Sequence, residues 1–234
     1  ISHNNKLMPA YDYLAETLLK LNNAQEAQQI LMKAVNISPR ALLRQKNLGN
    51  IAYRNEDFKT AETSFKAAVE QGKNSCYKNS SDYTSLAKTL VHCDNAEEGL
   101  KVLGSATKEF PNDNDAQLHL SVAESFVYTK MNKIDEAKRS LTDAQKLAEN
   151  MQGDIPSHLA LDLAQAYFLT GNVEKGEAII KNIVSSNHDN EKALDDVRMI
   201  FRDMGMTDKG DALIKTTRDE IIRLNNEGVK LAQE

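Results

Sequence analysis

The chain has 234 residues, of which 41% are hydrophobic, and its formal net charge is −5. This length and composition suffice for a sizeable core, whereas the acidic balance and the scattered positions of the 29 Lys and Arg residues exclude the basic footprint of a nucleic-acid-binding protein. The longest apolar runs are only a few residues long, which excludes a transmembrane helix and a signal peptide and predicts a soluble, cytoplasmic protein.

Residues 8–41 begin a series of similar segments, each with two short amphipathic helices. Apolar residues recur at helical spacing on either side of a break, at Tyr11, Leu14, Ala15 and Leu18 and then at Ala27, Leu31 and Ala34. Pro39 ends the second predicted helix, because proline cannot continue a helix and restricts the residue before it. The segment therefore predicts an antiparallel helical hairpin.

Residues 42–75 repeat this pattern most clearly. The facing residues of the two predicted helices are Leu48, Gly49 and Ala52 in the first and Ala61, Phe65 and Ala68 in the second. Gly49 and Ala61 leave room where the two backbones approach, and Phe65 fills the gap beside them. This order of small and large side chains resembles the tetratricopeptide repeat, a helix-turn-helix unit of about 34 residues. The resemblance implies an all-α fold, a right-handed α-solenoid of such repeats.

The same order of side chains predicts a single superhelix over residues 1–234, with six repeats and a trailing helix. The approximate bounds of the repeats are 8–41, 42–75, 80–113, 118–151, 157–190 and 191–224. Residues 225–234 are predicted to be the first helix of a truncated seventh repeat, and a capping helix is the alternative.

Three insertions interrupt the regular spacing. Residues 76–79 predict a loop that leads into a helix cap at Ser80 or Ser81. Added residues before the fourth repeat predict a first helix one turn longer than usual, over about 115–130. Residues 150–156 combine Asn, Gly, Asp and Pro, the strongest turn chemistry in the chain, and predict a loop.

Motifs of catalysis and cofactor binding are missing from the sequence. It has no P-loop, no Gly-x-Ser-x-Gly, no His-Glu-x-x-His and no Gly-x-Gly-x-x-Gly, and its five histidines never fall at ligand spacing. Cys76 and Cys93 also lack metal-ligand spacing and are predicted to be ordinary reduced thiols. His92 adjoins Cys93, but neighbours on a helix point about 100° apart. We therefore expect no catalytic residue, no cofactor and no metal; an enzyme would need a cluster of ionisable side chains in one pocket.

A concave groove is the binding surface that the family resemblance implies. In this repeat it is formed by the second, fifth, ninth and twelfth positions of each first helix. Apolar side chains there would anchor a partner, and amides and ammonium groups would bind its backbone or carboxylates. For each aromatic residue, simple packing against neighbouring helices is the alternative. The candidate groove residues are Leu43, Lys46, Asn50, Tyr53, Lys88, Val91, His119, Phe126, Leu161, Gln165 and Phe168.

The expected function is that of a non-catalytic scaffold that binds a partner protein or peptide. One alternative is an assembly role through self-association of the end repeats. Another is the chaperone-type adaptor, whose relatives hold a peptide carboxylate with five polar residues. Lys46 and Asn50 match two of these, whereas Ser85, His119 and Ala123 stand at the other three positions. Clamping of a chaperone C-terminus is therefore disfavoured.

A narrower resemblance involves strings that link the repeats. They are Ile37–Arg40, Arg44–Asn50, Asp82–Tyr83, Asn187–Asn190 and Leu224–Val229. Together they resemble the tetratricopeptide output region of bacterial response regulators with an N-terminal receiver domain. The resemblance implies an output module of a two-component system that acts through protein contact. The phosphoacceptor Asp of that family belongs to the receiver, so no phosphorylation site carries over to these residues.

Overall fold

The computed structural model describes residues 8–150 and 157–231, and within these ranges the chain forms twelve α-helices and no strand. The predicted loop at residues 150–156 lies almost wholly outside the described residues. The helices are α1 (Met8–Lys20), α2 (Ala24–Ile37), α3 (Leu42–Arg54), α4 (Phe58–Gly72), α5 (Ser80–His92), α6 (Ala96–Glu109), α7 (Asn114–Lys130), α8 (Ile134–Glu149), α9 (Ser157–Leu169), α10 (Val173–Ser186), α11 (Glu191–Asp203) and α12 (Thr207–Leu231).

Consecutive helices form six hairpins, and each hairpin turns on one residue with a positive φ angle. These residues are Asn22 (56°), Glu56 (61°), Asp94 (57°), Asn132 (59°), Gly171 (88°) and Gly205 (72°). In every case the next residue donates its N–H to the carbonyl oxygen five positions earlier, at 2.7–2.9 Å. This hydrogen bond closes the end of the first helix, and the left-handed residue redirects the chain into the second.

The positive φ angle of Gly171 favours glycine over alanine at this turn. Gly171→Ala should lower the free energy of unfolding by about 1 kcal/mol, because a Cβ atom is strained at positive φ, although it would meet no heavy atom within 4 Å. Gly104, inside α6, has the same open space but a helical backbone. Gly104→Ala should therefore raise the free energy of unfolding by about 0.5–1 kcal/mol. Urea titrations followed by circular dichroism measure both changes, and equal signs for the two variants would contradict this account.

Contacts divide the chain into two compact units, residues 1–123 and residues 124–234. In the first unit each helix from α1 to α5 packs against the next one in the chain. The interior contains small, branched and aromatic side chains from both helices of each hairpin. Fully buried examples are Ala27, Ala34, Ala52, Ala61, Ala68, Ala87, Leu90, Leu103 and Ala106. The small residues allow the close helix contacts that the sequence predicted.

The second unit has its own apolar core. Helix α9 packs against α8, α10 and α11, and α12 packs against α10 and α11. The cluster at its centre includes Phe168, Ile180, Leu194, Phe201 and Ile214. Near the end of α7, the Lys130 ammonium group donates a hydrogen bond of 2.7 Å to the backbone oxygen of Asp203 in α11. The two helices are thereby joined within this unit.

Two local details differ from the sequence-based expectation. The cap of α5 is Asn79, whose Oδ1 accepts a hydrogen bond of 2.8 Å from the Ser81 N–H, so the prediction of a cap at Ser80 or Ser81 is wrong. In addition, α12 continues without a break from Thr207 to Leu231. No separate helix begins at residue 225, because residues 224–227 contain neither proline nor glycine to end the helix. The longer helix expected at 115–130 is present as α7.

Candidate interaction surface

The first helices of the second and third hairpins, α3 and α5, carry the accessible part of the predicted groove. Leu43 is 69% exposed and Asn50 is exposed, both on α3. Lys46 on α3 and the pair Lys88 and Val91 on α5 are half-buried. Apolar, amide and ammonium groups therefore reach the surface of these two helices together.

Ion pairs connect these helices to one another. Arg44 on α3 donates two hydrogen bonds to the Asp12 carboxylate on α1, with Nε to Oδ1 at 2.9 Å and Nη2 to Oδ2 at 2.7 Å. Lys46 Nζ lies 2.7 Å from Asp82 Oδ2 on α5. The Asp82 side chain is only 6% exposed. Burial raises the pKa of Asp82, and the hydrogen bond and charge of Lys46 offset part of that rise.

Two predicted groove residues of the first unit are buried in contacts between hairpins. The Tyr53 hydroxyl lies 3.0 Å from His92 Nε2, and the His92 ring stacks on Phe58 with ring centres 4.3 Å apart. His119 Nε2 lies 3.1 Å from the Thr84 hydroxyl, and both side chains are buried. Tyr53 and His119 thus join successive hairpins. Their role in binding a partner stays a prediction.

The four candidates of the second unit are buried as well. Leu161 and Phe168 belong to its apolar core, and Phe126 is fully buried beneath the Lys130 ammonium group, which lies 5.4 Å from the ring centre. Gln165 is 1% exposed, and neither its Nε2 nor its Oε1 has a hydrogen-bond partner. These positions match the alternative of packing between helices. Leu43, Lys46, Asn50, Lys88 and Val91 therefore remain the accessible candidates.

Sequence reasoning missed Tyr77 in the loop between α4 and α5. Its side chain is 72% exposed, and together with Leu43 it lines a cavity beside the start of α3. The signal that could have found it is an aromatic residue in the four-residue insertion, just before a first helix. Large exposed apolar side chains that lie together indicate an interaction surface.

The described residues contain no group of three His, Cys, Asp or Glu side chains that could hold a metal ion. Cys76 and Cys93 are free thiols, as expected, and Cys76 is exposed. Burial, followed by a hydrogen bond to Glu62, raises the pKa of the Cys93 thiol, which disfavours the reactive thiolate. No helix in the described part of the chain is both long and apolar enough to cross a membrane.

Comparisons with known proteins identify the fold. Residues 9–40 match the family model described as Tetratricopeptide repeat. The structure is similar to that of a thermophilic tetratricopeptide-repeat protein of Thermus thermophilus, with a TM-score of 0.55 and 17% identity over 80% of this chain and 94% of that one. It is also similar to PilW, a widely conserved type IV pilus biogenesis factor, with a TM-score of 0.52 and 13% identity over 94% and 100% of the two chains. No curated protein matches the sequence.

Proposed function

We propose that this chain, a tetratricopeptide-repeat protein with an all-α fold, is a non-catalytic scaffold that binds a partner protein or peptide on the exposed face of α1, α3 and α5. Proteins of this repeat family are in general interaction scaffolds. The observation that carries the proposal is the exposure of Leu43 and Asn50 on α3 beside Lys88 and Val91 on α5. We also propose the cytoplasm as the location of the protein.

The chemistry of this face suits an extended protein segment as its ligand. Leu43 and Val91 supply apolar contact, and the Asn50 amide can both donate to and accept from the backbone of an extended segment. The ion pairs Arg44–Asp12 and Lys46–Asp82 hold α1, α3 and α5 in register. Because the face is already ordered, binding has a lower entropic cost.

The same geometry disfavours the chaperone-type adaptor. Lys46, the first residue of its carboxylate clamp, already pairs with Asp82, and His119 is buried. Binding of a terminal carboxylate at Lys46 would compete with a buried ion pair.

The narrower form of the proposal is an output module of a bacterial response regulator. It rests on the linking strings alone, such as Arg44–Asn50 and Asn187–Asn190. This form predicts a receiver domain upstream in the full gene product, which sequencing of the gene checks.

Affinity capture from extracts of the producing cells tests the proposed function. We expect the wild-type chain to retain a reproducible set of proteins, and the double variant Asn50→Lys with Lys88→Glu to retain at least about tenfold less of them, a loss of about 1.4 kcal/mol. Lys101→Glu, an exposed charge reversal on the second helix α6, is the matched control and should leave capture unchanged.

Capture that is equal in the double variant and the control would refute binding on this face. Light scattering over a range of concentrations on the same samples separates this model from self-association. A mass that rises with concentration and falls when Ile222 and Leu224, which are exposed on α12, become lysine would favour self-association instead.

A further inference from the structure

A cavity of about 470 Å³ lies beside the start of α3, on the face proposed for partner binding. Its apolar lining comes from Ala41, Leu42, Leu43 and Tyr77, and its surface is almost entirely carbon. Leu43 and Tyr77 are 69% and 72% exposed, so two large apolar side chains of the lining remain in contact with water. Covering them with another apolar group would be favourable, at about 25 cal/mol for each Å² removed from water.

The wall formed by Tyr77 is held in place from two sides. Its backbone N–H donates to the Ser75 hydroxyl at 3.1 Å, and its carbonyl oxygen accepts from Lys46 Nζ at 3.4 Å. Lys46 is itself bound to the buried Asp82 carboxylate at 2.7 Å. The backbone of the loop is therefore tied to both α3 and α5, which keeps Tyr77 beside the start of α3.

The charges around the cavity indicate what can enter it. Among the residues that the structure describes, the charged ones in its lining are Asp12, Arg44 and Lys46. Arg44 makes two hydrogen bonds to Asp12, and Lys46 pairs with Asp82. An additional charge on a ligand would have to break one of these pairs, whereas an uncharged apolar group leaves both intact.

We propose that this cavity receives an uncharged aliphatic or aromatic side chain from a peptide segment of the partner that lies along α3. The inference rests on the proposed function and names its partner chemistry. The apolar side chain anchors the segment against Leu43 and Tyr77, and the balanced charges reject acidic and basic side chains at this position.

Selection of random peptides displayed on phage against the immobilised 234-residue chain tests the inference. We expect enrichment of peptides with Leu, Ile, Met, Phe or Trp at one shared position. Selected peptides, made synthetically, should bind at least about tenfold more weakly to Leu43→Glu and to Tyr77→Ser. The matched controls are Leu21→Glu and Tyr13→Ser, because Leu21 is 70% and Tyr13 71% exposed and neither lines the cavity. These variants should bind as the wild type does.

Three results would overturn the inference. They are enrichment of acidic peptides, peptide affinities that do not change in Leu43→Glu and Tyr77→Ser, and a selection that enriches no peptide. If the selected peptides instead lose affinity in the Asn50 and Lys88 double variant, the proposed function survives and the cavity is excluded. If the capture experiment and the peptide selection both fail, the proposed function and the inference about the cavity are both contradicted.

Discussion

Phe65→Ala should lower the free energy of unfolding by roughly 3–5 kcal/mol, the range for removal of a buried aromatic ring. Phe65 on α4 is 3% exposed and contacts the backbone of α3 at Gly49. A Cβ atom built on Gly49 would lie 2.7 Å from Phe65 Cε1 and 2.9 Å from Cδ1 and Cζ. The ring therefore occupies the space that a side chain at residue 49 would need, and its removal leaves a cavity between the two helices.

The reverse change at the same contact tests the same packing. Gly49→Val should lower the free energy of unfolding by about 1–3 kcal/mol, because the new side chain would overlap the buried Phe65 ring. Gly49→Ala, made with and without Phe65→Ala, tests the energetic coupling between residues 49 and 65. In the wild type its overlap with Phe65 opposes the gain in helix propensity, whereas in the Phe65→Ala background only the gain of about 0.5–1 kcal/mol remains.

Urea unfolding of the four chains in this cycle, followed by circular dichroism, gives the coupling energy. Gly49→Ala should be less favourable in the presence of Phe65 than in its absence. Near-wild-type stability of both Phe65→Ala and Gly49→Val would contradict the assignment of this hairpin as a close-packed repeat. A similarly close helix contact occurs in the second unit, where a Cβ atom built on Gly210 would lie 2.7 Å from Cβ and Cγ of Phe201.

The helical hairpins could be predicted because their determinants are local. Small residues such as Gly49 and Ala61 lie at the helix contact, and residues that tolerate positive φ, such as Asn22 and Gly171, lie at the turns. The continuation of α12 past residue 224 could not be predicted in this way. A helix stops only where continuing it costs more than ending it, and the Asn225–Asn226 pair is a weak stop compared with Pro39.

The candidate surface was predictable only as far as the face of a helix. Helical spacing places Asn50, Phe126 and Gln165 at equivalent kinds of position on their helices, yet Asn50 is exposed and the other two are buried. The burial of a residue depends on which other helices pack against that face, and the sequence of the helix itself does not determine this. Tyr77 was missed for a similar reason, since only the fold of the loop between α4 and α5 brings it beside Leu43.

Lys46→Met should lower the free energy of unfolding by about 3 kcal/mol near neutral pH. This is the lower end of the range for removing one partner of a buried ion pair, because the Lys46 side chain is still 20% exposed. The variant leaves the Asp82 carboxylate buried with no cation beside it. Lys73→Met is the control, since it removes an exposed pair with Glu70 and should leave the stability nearly unchanged.

The loss in Lys46→Met should depend on pH, and the sign follows from the pKa of Asp82. Burial already raises this pKa in the folded wild type, and removing Lys46 raises it further. The folded variant then binds a proton more tightly than the unfolded chain does. Its deficit should therefore be small below the unfolded pKa of about 4, and it should grow as the pH rises through the folded pKa toward about 7.

Adding Asp82→Asn to Lys46→Met should restore more than half of the lost stability, because it removes the uncompensated charge. The same substitution should also abolish the extra pH dependence. The weak hydrogen bond from Lys46 to the Tyr77 carbonyl oxygen, at 3.4 Å, is lost in both variants and does not titrate. The pH dependence thus isolates the ion pair between α3 and α5. Urea midpoints measured between about pH 4 and pH 7 decide the matter, and a deficit in Lys46→Met that stays constant over this range would show that Asp82 does not depend on Lys46.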